Sequence, residues 1–175
     1  MTDTTTPEAK SETPTELVPE VLHGAPVTYS RGEKVVHATR ADYLKVVKAL
    51  KAEGFNQLSD VCGVDYLTNE TRQLPASIVG ERFEVVANLL SHARRERIRV
   101  RVQVPEDDCK IASLYDVYPG AEAMEREAYD LMGIIFDGHP DLSRILLPDN
   151  WEGHPLRKDY ATGRIPVQFK EGTAR

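Results

Sequence analysis

Three carboxylates, Glu125, Glu127 and Asp130, surround Arg126 in one six-residue stretch. Acid–base chemistry needs two carboxyls whose surroundings drive their pKa values apart. Two residues apart on a helix, Glu125 and Glu127 point about 200° away from each other and cannot share one substrate. The spacing predicts instead an exposed, salt-bridged helix face, with Glu122–Arg126 and Arg126–Asp130 as i,i+4 pairs. His139 and His154, with Asp137 or Asp141, are the right types for a metal. Zinc sites draw on short spacings such as HxxxH or CxxC, and neither occurs. Both histidines precede a proline and read as turn residues. Cys62 and Cys109 are too few for a four-cysteine iron–sulfur cluster or a disulfide framework. Cys62, between Val61 and Val64, reads as a small hydrophobe in a strand rather than as a nucleophile. No GxSxG, GxGxxG or GxxxxGK[ST] is present. Arg97, Arg99 and Arg101, with Arg94 and Arg95, form a basic run, but an RNA-binding sheet would interleave exposed aromatics with it, and none does. Every specific catalytic signature fails, so the expectation is a chain with no catalytic residue and no cofactor or metal of its own.

The bulk composition agrees. A chain of 175 residues with 41% hydrophobic and 29% charged residues suits one soluble globular domain. Twenty-eight acids against 22 Lys and Arg give a net charge of −6, which argues against a nucleic-acid binder. No apolar run approaches the ~20 residues of a membrane span. Two well-separated cysteines fit a reducing, cytoplasmic setting.

Residues 1–30 are expected to form a disordered acidic N-terminal tail. The first twenty or so are rich in Thr, Pro and Glu, and too few of their side chains could be buried to offset the entropy of ordering them. They lack the early basic residues and apolar stretch of a leader peptide.

Residues 31–137 carry the periodic patterns and are expected to form an α+β domain. Lys34–Ala38 reads as a short strand. Thr39 and Asp42 resemble a capping box with Asp in place of Glu. Tyr43, Leu44, Val47 and Leu50 then recur at helical spacing until Gly54. Phe55–Tyr66 reads as a strand. Phe83, Val85, Ala87 and Leu89 alternate with Glu84, Val86, Asn88 and Leu90. Ile98, Val100, Val102 and Val104 alternate strictly with Arg97, Arg99, Arg101 and Gln103. Such a period of two marks half-buried antiparallel strands, here a hairpin with a polar turn. After Pro119-Gly120 a helix is expected, with Ala121, Met124, Ala128 and Leu131 on one stripe and Gly133 at its end. The predicted architecture is two layers, helices on one side of a largely antiparallel sheet, plus an extended C-terminal segment that leaves this body.

That segment, residues 138–175, has no periodicity. Pro140, Pro148, Pro155 and Pro166 punctuate it, which excludes a long helix or a central strand. Ile145, Leu146, Leu147, Trp151, Leu156, Tyr160, Ile165, Val167 and Phe169 nevertheless make it too apolar for a free tail. The expectation is that much of it buries on a partner, since aromatic and Arg anchors dominate interfaces.

One stretch carries more specific information. Glu125-Arg126-Glu127 leads to Asp130-Leu131-Met132-Gly133, then His139-Pro140-Asp141-Leu142. Arg144-Ile145-Leu146-Leu147-Pro148 follows, and Glu152-Gly153-His154-Pro155-Leu156-Arg157-Lys158-Asp159-Tyr160 closes the series. In this order these motifs closely resemble the 30-kDa subunit family of respiratory complex I, the proton-pumping NADH:quinone oxidoreductase. The likeness is strong from about Tyr118 to Tyr160 and looser over the α+β region, including Val64-Asp65-Tyr66. The family usually has a basic residue or proline where Ser143 stands, and an aromatic near Ala123.

The resemblance implies a hydrophilic peripheral-arm subunit on the cytoplasmic side of the cell membrane, attached only through the complex. It implies that FMN and the Fe-S clusters belong to partner subunits. The implied neighbours are the 49-kDa homologue, which this chain would brace at the quinone site, and a small iron–sulfur (Fe-S) subunit. Arg126, Arg144, Arg157 and Lys158 become candidate charged contacts with a partner, and Trp151 and Tyr160 candidate apolar anchors. Membrane-bound hydrogenases and ferredoxin-linked complexes contain similar modules and give the alternative assembly.

Overall fold

The computed structural model describes residues 20–69 and 71–161. Strands β1 (Val21–Leu22), β2 (Ala25–Ser30), β3 (Glu33–Ala38), β4 (Gln57–Asp65), β5 (Phe83–Ser91) and β6 (Glu96–Val104) form one sheet in the order β1-β2-β3-β6-β5-β4. All neighbours are antiparallel except β3 and β6. The helix α1 (Tyr43–Ala52) carries the chain from β3 to the far edge, and the β4-β5-β6 meander returns to pair with β3. The architecture is the expected α+β one.

Register separates the two faces. Opposite one another on the inner face lie Phe83 and Val104, Val85 and Val102, Ala87 and Val100, and Leu89 and Ile98, all buried. Val36 and Ala38 of β3 and Val61 of β4 continue this face. Both helices pack on it. Tyr43, Val46, Val47 and Leu50 of α1 are fully buried, at the spacing that places side chains on one helical stripe.

The entry to α1 differs from a capping box. The Thr39 hydroxyl accepts from the Asp42 N–H at 3.1 Å and donates to the Asp42 carboxylate at 2.9 Å, one turn ahead of the helix. Asp42 itself occupies the cap without a side-chain cap bond. The pair therefore orders the turn rather than the helix end.

Helix α2 (Ala121–Met132) departs further from expectation. Its buried residues are Ala121, Glu125, Ala128, Asp130 and Met132, while Met124 and Leu131 are only half-buried. The predicted exposed acidic face is wrong on two residues, because Glu125 and Asp130 are inaccessible to solvent. The expected Glu122–Arg126 and Arg126–Asp130 pairs do not form, since better partners lie off the helix. Gly133 ends α2 at φ +72°, the left-handed turn that favours glycine. Gly63 lets α2 approach β4, because a methyl group there would sit 2.8 Å from the side chains of Ile134 and Met132.

Three further elements were not legible as patterns. Strands β7 (Lys110–Ala112) and β8 (Ile135–Asp137) form a small parallel sheet that buries Ile111 and Phe136. The loop from Tyr66 to Arg82 closes on itself through Tyr66 N–H to Arg82 O at 2.8 Å and lies over part of the outer face. Residues 21–30, expected within the disordered tail, are strands β1 and β2, with Ala25 and Val27 buried against the core. Alternating apolar side chains and a glycine turn at Gly24 outweigh the polar composition upstream. The rest of the expected tail, residues 1–19, lies outside the described residues, as do Glu70 and residues 162–175, including Ile165, Pro166, Val167 and Phe169.

The C-terminal segment is irregular, as its prolines require, but its described part does not leave the domain. It crosses the end of α2 and reaches the ends of β4 and β5.

Candidate functional site

The residues of the diagnostic motifs meet where the C-terminal segment crosses α2. Asp130 is the centre. One carboxylate oxygen accepts the backbone N–H groups of Ile145, Leu146 and Leu147 at 3.1, 2.8 and 2.9 Å. The other accepts from the Arg144 guanidinium at 2.6 Å. Burial by itself would raise this carboxyl. The Leu147 N–H, Arg144, and the Leu146 and Ile145 N–H groups outweigh it and hold the group at about 2, so it is ionised. A buried carboxylate demands such compensation, and one side chain thereby fixes three consecutive backbone groups of a segment that has no secondary structure.

Arg144 also donates to the carbonyls of Trp151 at 2.9 Å and Gly153 at 3.2 Å. Arg126 donates to the Ser143 carbonyl at 3.1 Å, the Ser143 hydroxyl at 2.9 Å and the Arg144 carbonyl at 3.0 Å. The hydroxyl of Ser143, where the resembled family more often has a basic residue or proline, is thus a working contact. His154 Nδ1 donates to the Asp130 carbonyl at 2.9 Å, and the Leu156 N–H to the Leu131 carbonyl at 3.0 Å. Arg157 donates to the Met132 carbonyl at 2.7 Å and places its guanidinium 5.0 Å from the centre of the Phe83 ring. Gly133 accommodates both, since a methyl group on it would lie 2.6 Å from the His154 ring and 2.7 Å from Arg157.

A second carboxylate repeats the device at the end of β4. Asp65 accepts from the Lys158 N–H at 2.9 Å, from the Leu67 N–H at 2.9 Å, and from Arg82 at 3.0 Å. Burial raises this group, and Arg82 with the two N–H groups reverses the shift, leaving it lowered. Arg82 bonds Glu106 as well, and meets Asp159 at 2.8 Å. Its own guanidinium is 4.8 Å from the Phe83 ring centre, so two cations rest on one aromatic ring.

The candidate contact residues are therefore brought together, but the hydrogen bonds of Arg126, Arg144 and Arg157 run inside the chain. Trp151 is half-buried, with its indole nitrogen enclosed and without a hydrogen-bond partner. The half-buried Tyr160 ring lies against Gly153, where a methyl group would sit 2.9 Å from it. Lys158 uses its backbone, and its side chain is exposed. His139 accepts from the Asp141 N–H and donates to the Glu122 carbonyl at 3.0 Å, well apart from the contacts of His154.

Glu125 is not part of this cluster. It accepts from the Ser113 hydroxyl at 2.5 Å and the Leu114 N–H at 2.6 Å, with burial pushing its carboxyl up against both. It pins the turn after β7.

Sequence reasoning missed Asp65, Arg82, Glu106 and Asp159. A signal existed for Asp65: its register puts it on the inner face opposite Phe83, where a charge must have partners.

What the latch leaves outside is apolar. The turn that aims three N–H groups at Asp130 leaves the side chains of Ile145 and Leu146 exposed at 41% and 58%, and Leu156 at 45%. No helix among the described residues is long and apolar enough to cross a membrane.

A family profile described as "Respiratory-chain NADH dehydrogenase, 30 Kd subunit" matches residues 36–165. An NADH-quinone oxidoreductase subunit of Saccharopolyspora erythraea is 43% identical over 147 residues, covering 82% of this chain and 55% of that protein. NADH-quinone oxidoreductase subunit 5 of Thermus thermophilus is 47% identical over 127 residues, 70% of this chain and 58% of that protein. The chain thus spans a little over half the length of these relatives. The counterpart from Roseiflexus castenholzii, 41% identical over 155 residues, is covered to 82%. Among solved structures, the trypsin-resistant fragment (1-134) of Nqo5 superposes with a TM-score of 0.60 at 38% identity, covering 68% of this chain and 90% of the fragment. A chain of the archaeal membrane-bound sulfane sulfur reductase reaches 0.66 at 21% identity, covering 86% and 89%, a likeness of fold.

Proposed function

This chain belongs to the 30-kDa subunit family of the respiratory-chain NADH dehydrogenase, and from that premise we propose that it is a peripheral-arm subunit of a proton-pumping NADH:quinone oxidoreductase. It carries no active site and no cofactor. Electrons pass from NADH through FMN and Fe-S clusters in other subunits to quinone. This chain braces the quinone-site subunit, the 49-kDa homologue, beside a small iron–sulfur subunit, at the cytoplasmic side of the membrane.

The observation that supports this reading is the pairing of a rigid latch with an exposed apolar strip. Ile145, Leu146 and Leu156 stand in water on a segment whose backbone is fixed by Asp130 and Asp65. Exposed apolar side chains on a preorganised backbone favour a docking surface. Lys158, Trp151 and Tyr160 flank the strip as candidate contacts. Arg126, Arg144 and Arg157 act indirectly, by holding it in shape.

The test is affinity purification of the chain, tagged at its N-terminus, from gently solubilised membranes, with mass spectrometry of what accompanies it. Flavin, iron–sulfur and quinone-site subunits with NADH:quinone activity in the eluate are expected. Leu146→Ser should lower the recovery of these partners about ten-fold, equivalent to about 1.4 kcal/mol of docking, while the chain stays folded. A lone monomer would refute the reading. Recovery with a nickel hydrogenase or a ferredoxin-linked complex would replace it with the alternative assembly.

A further inference from the structure

The two edges of the large sheet are finished differently. At one edge β1 is two residues long, too short to template another chain. At the other, β4 runs for nine residues, and among the described residues no strand pairs with its outer side. Proteins blunt such edges with Lys, Pro, bulges or covering loops. Gln57–Asp65 contains no Lys, Arg or Pro. Its one irregularity falls between Leu58 and Asp60, which leaves the remainder of the strand regular.

Along that regular part runs a groove. The stretch from Asp60 to Gly63 of β4, whose Val61 and Gly63 face the helix, lines one side, Glu127, Ala128 and Leu131 of α2 the other, and Leu156 completes the lining. Asp60 on the strand and Glu127 on the helix are exposed, and neither forms an ion pair among the described residues, although Asp60 also borders an outer-face hollow lined by Arg97 and Arg99. Leu156 joins the groove to the exposed strip proposed above as the docking surface.

We propose that this groove receives an extended segment of a partner subunit, which adds a strand to β4. The segment inserts an apolar side chain between β4 and α2 and carries Lys or Arg against Asp60 and Glu127. Backbone pairing supplies the affinity, and the hollow and the two carboxylates supply the selection. The proposal rests on the reading of this chain as a subunit. The described end of the chain is already engaged at the ends of β4 and β5, with the Lys158 N–H on Asp65 and Asp159 on Arg82.

The experiment places a photo-crosslinking amino acid at Asp60, exposed in the lining of the groove, in the tagged full chain purified with its assembly. A crosslink to a single partner segment in which Lys or Arg flanks an apolar residue is expected. Slower amide exchange over 60–63 in the assembly than in the isolated chain should accompany it. Glu127→Lys should lower the crosslink at least ten-fold, whereas Glu122→Lys, on the same helix outside the groove, should leave it unchanged. Co-purification of the flavin and iron–sulfur subunits without a crosslink to any of them, or with a crosslink only to residues 162–175 of this chain, overturns the strand and leaves the subunit reading standing. If no subunit co-purifies, both fall.

Discussion

Two buried carboxylates, Glu84 on the outer face of the sheet and Asp130 under the C-terminal segment, do different work with the same chemistry. Glu84 is held by side chains. Arg101 pairs with it through two bonds at 2.6 and 2.9 Å, Gln103 donates to it, Tyr66 lies at 3.4 Å and Arg72 at 3.8 Å. The strands that present Glu84 and Arg101 have their register set by the apolar inner face, so the cluster decorates a frame that exists without it. Asp130 is held mainly by backbone groups, and the backbone that supplies them belongs to no helix or strand. The lesson is that a buried ion pair on a sheet contributes to global stability, whereas one that binds backbone N–H groups decides whether a segment has a structure at all.

Asp130→Ala should break the comparison most clearly. It should cost about 3–5 kcal/mol, the range for stripping one member from a buried charged pair. Trypsin should then cleave rapidly after Arg144 and Arg157, while far-ultraviolet circular dichroism of the sheet persists. Global unfolding without selective cleavage would show that the segment and the domain are one cooperative unit. Acid should mimic the change. The carboxyl titrates near 2 in the folded chain and near 3.8 when unfolded, so its contribution is present above pH 3.8 and fades as pH falls toward 2.

The outer face should respond to pH in a different window. His37 is buried beside Arg101, and burial first, then Arg101, lowers it to about 4, with Glu84 opposing. The unfolded chain takes up this proton near pH 6.5 and the folded chain only near 4, so stability falls between these values, by about 3 kcal/mol in all. Denaturant melts from pH 7 to 4 should show the slope, and His37→Gln should flatten it. An unchanged slope would refute the assignment.

Glu84→Ala should lower the unfolding free energy by about 2 kcal/mol, the scale of lost hydrogen bonds to a charged group, and leave the tryptic pattern at Arg144 and Arg157 as in the wild type. New cleavage there would mean that the two clusters are coupled. The smallest effect is expected from Gly63→Ala, about 1 kcal/mol of overpacking, because the new methyl meets the movable ends of Ile134 and Met132. A thermal melt would read it.

Most of the sheet and both helices were legible because their periodicity is strong. Arg97–Val104 alternates strictly and Phe83–Leu90 keeps one fully apolar face, so the hairpin and its inner face follow. The candidate contact residues were legible as a group in the chain, and their wiring was not. Arg126, Arg144, Trp151, Arg157, Lys158 and Tyr160 do gather in one region, yet the three arginines serve their own chain. Helical spacing alone made Asp130 a surface residue paired with Arg126. Its actual partners lie 14 to 17 residues downstream, in a stretch that no period describes.

By itself the sequence determined the α+β class, the alternating strands, the glycine end of α2 and, through an ordered set of motifs, the family. These are local or pattern properties, carried by side-chain period and by residues whose backbone preferences are intrinsic. Only the tertiary structure decided that the C-terminal segment lies on its own domain, which carboxylates are buried, and that an apolar strip and an open strand edge remain outside. Those outcomes depend on which distant backbone N–H groups reach a desolvated charge. Spacing along the chain does not encode that distance.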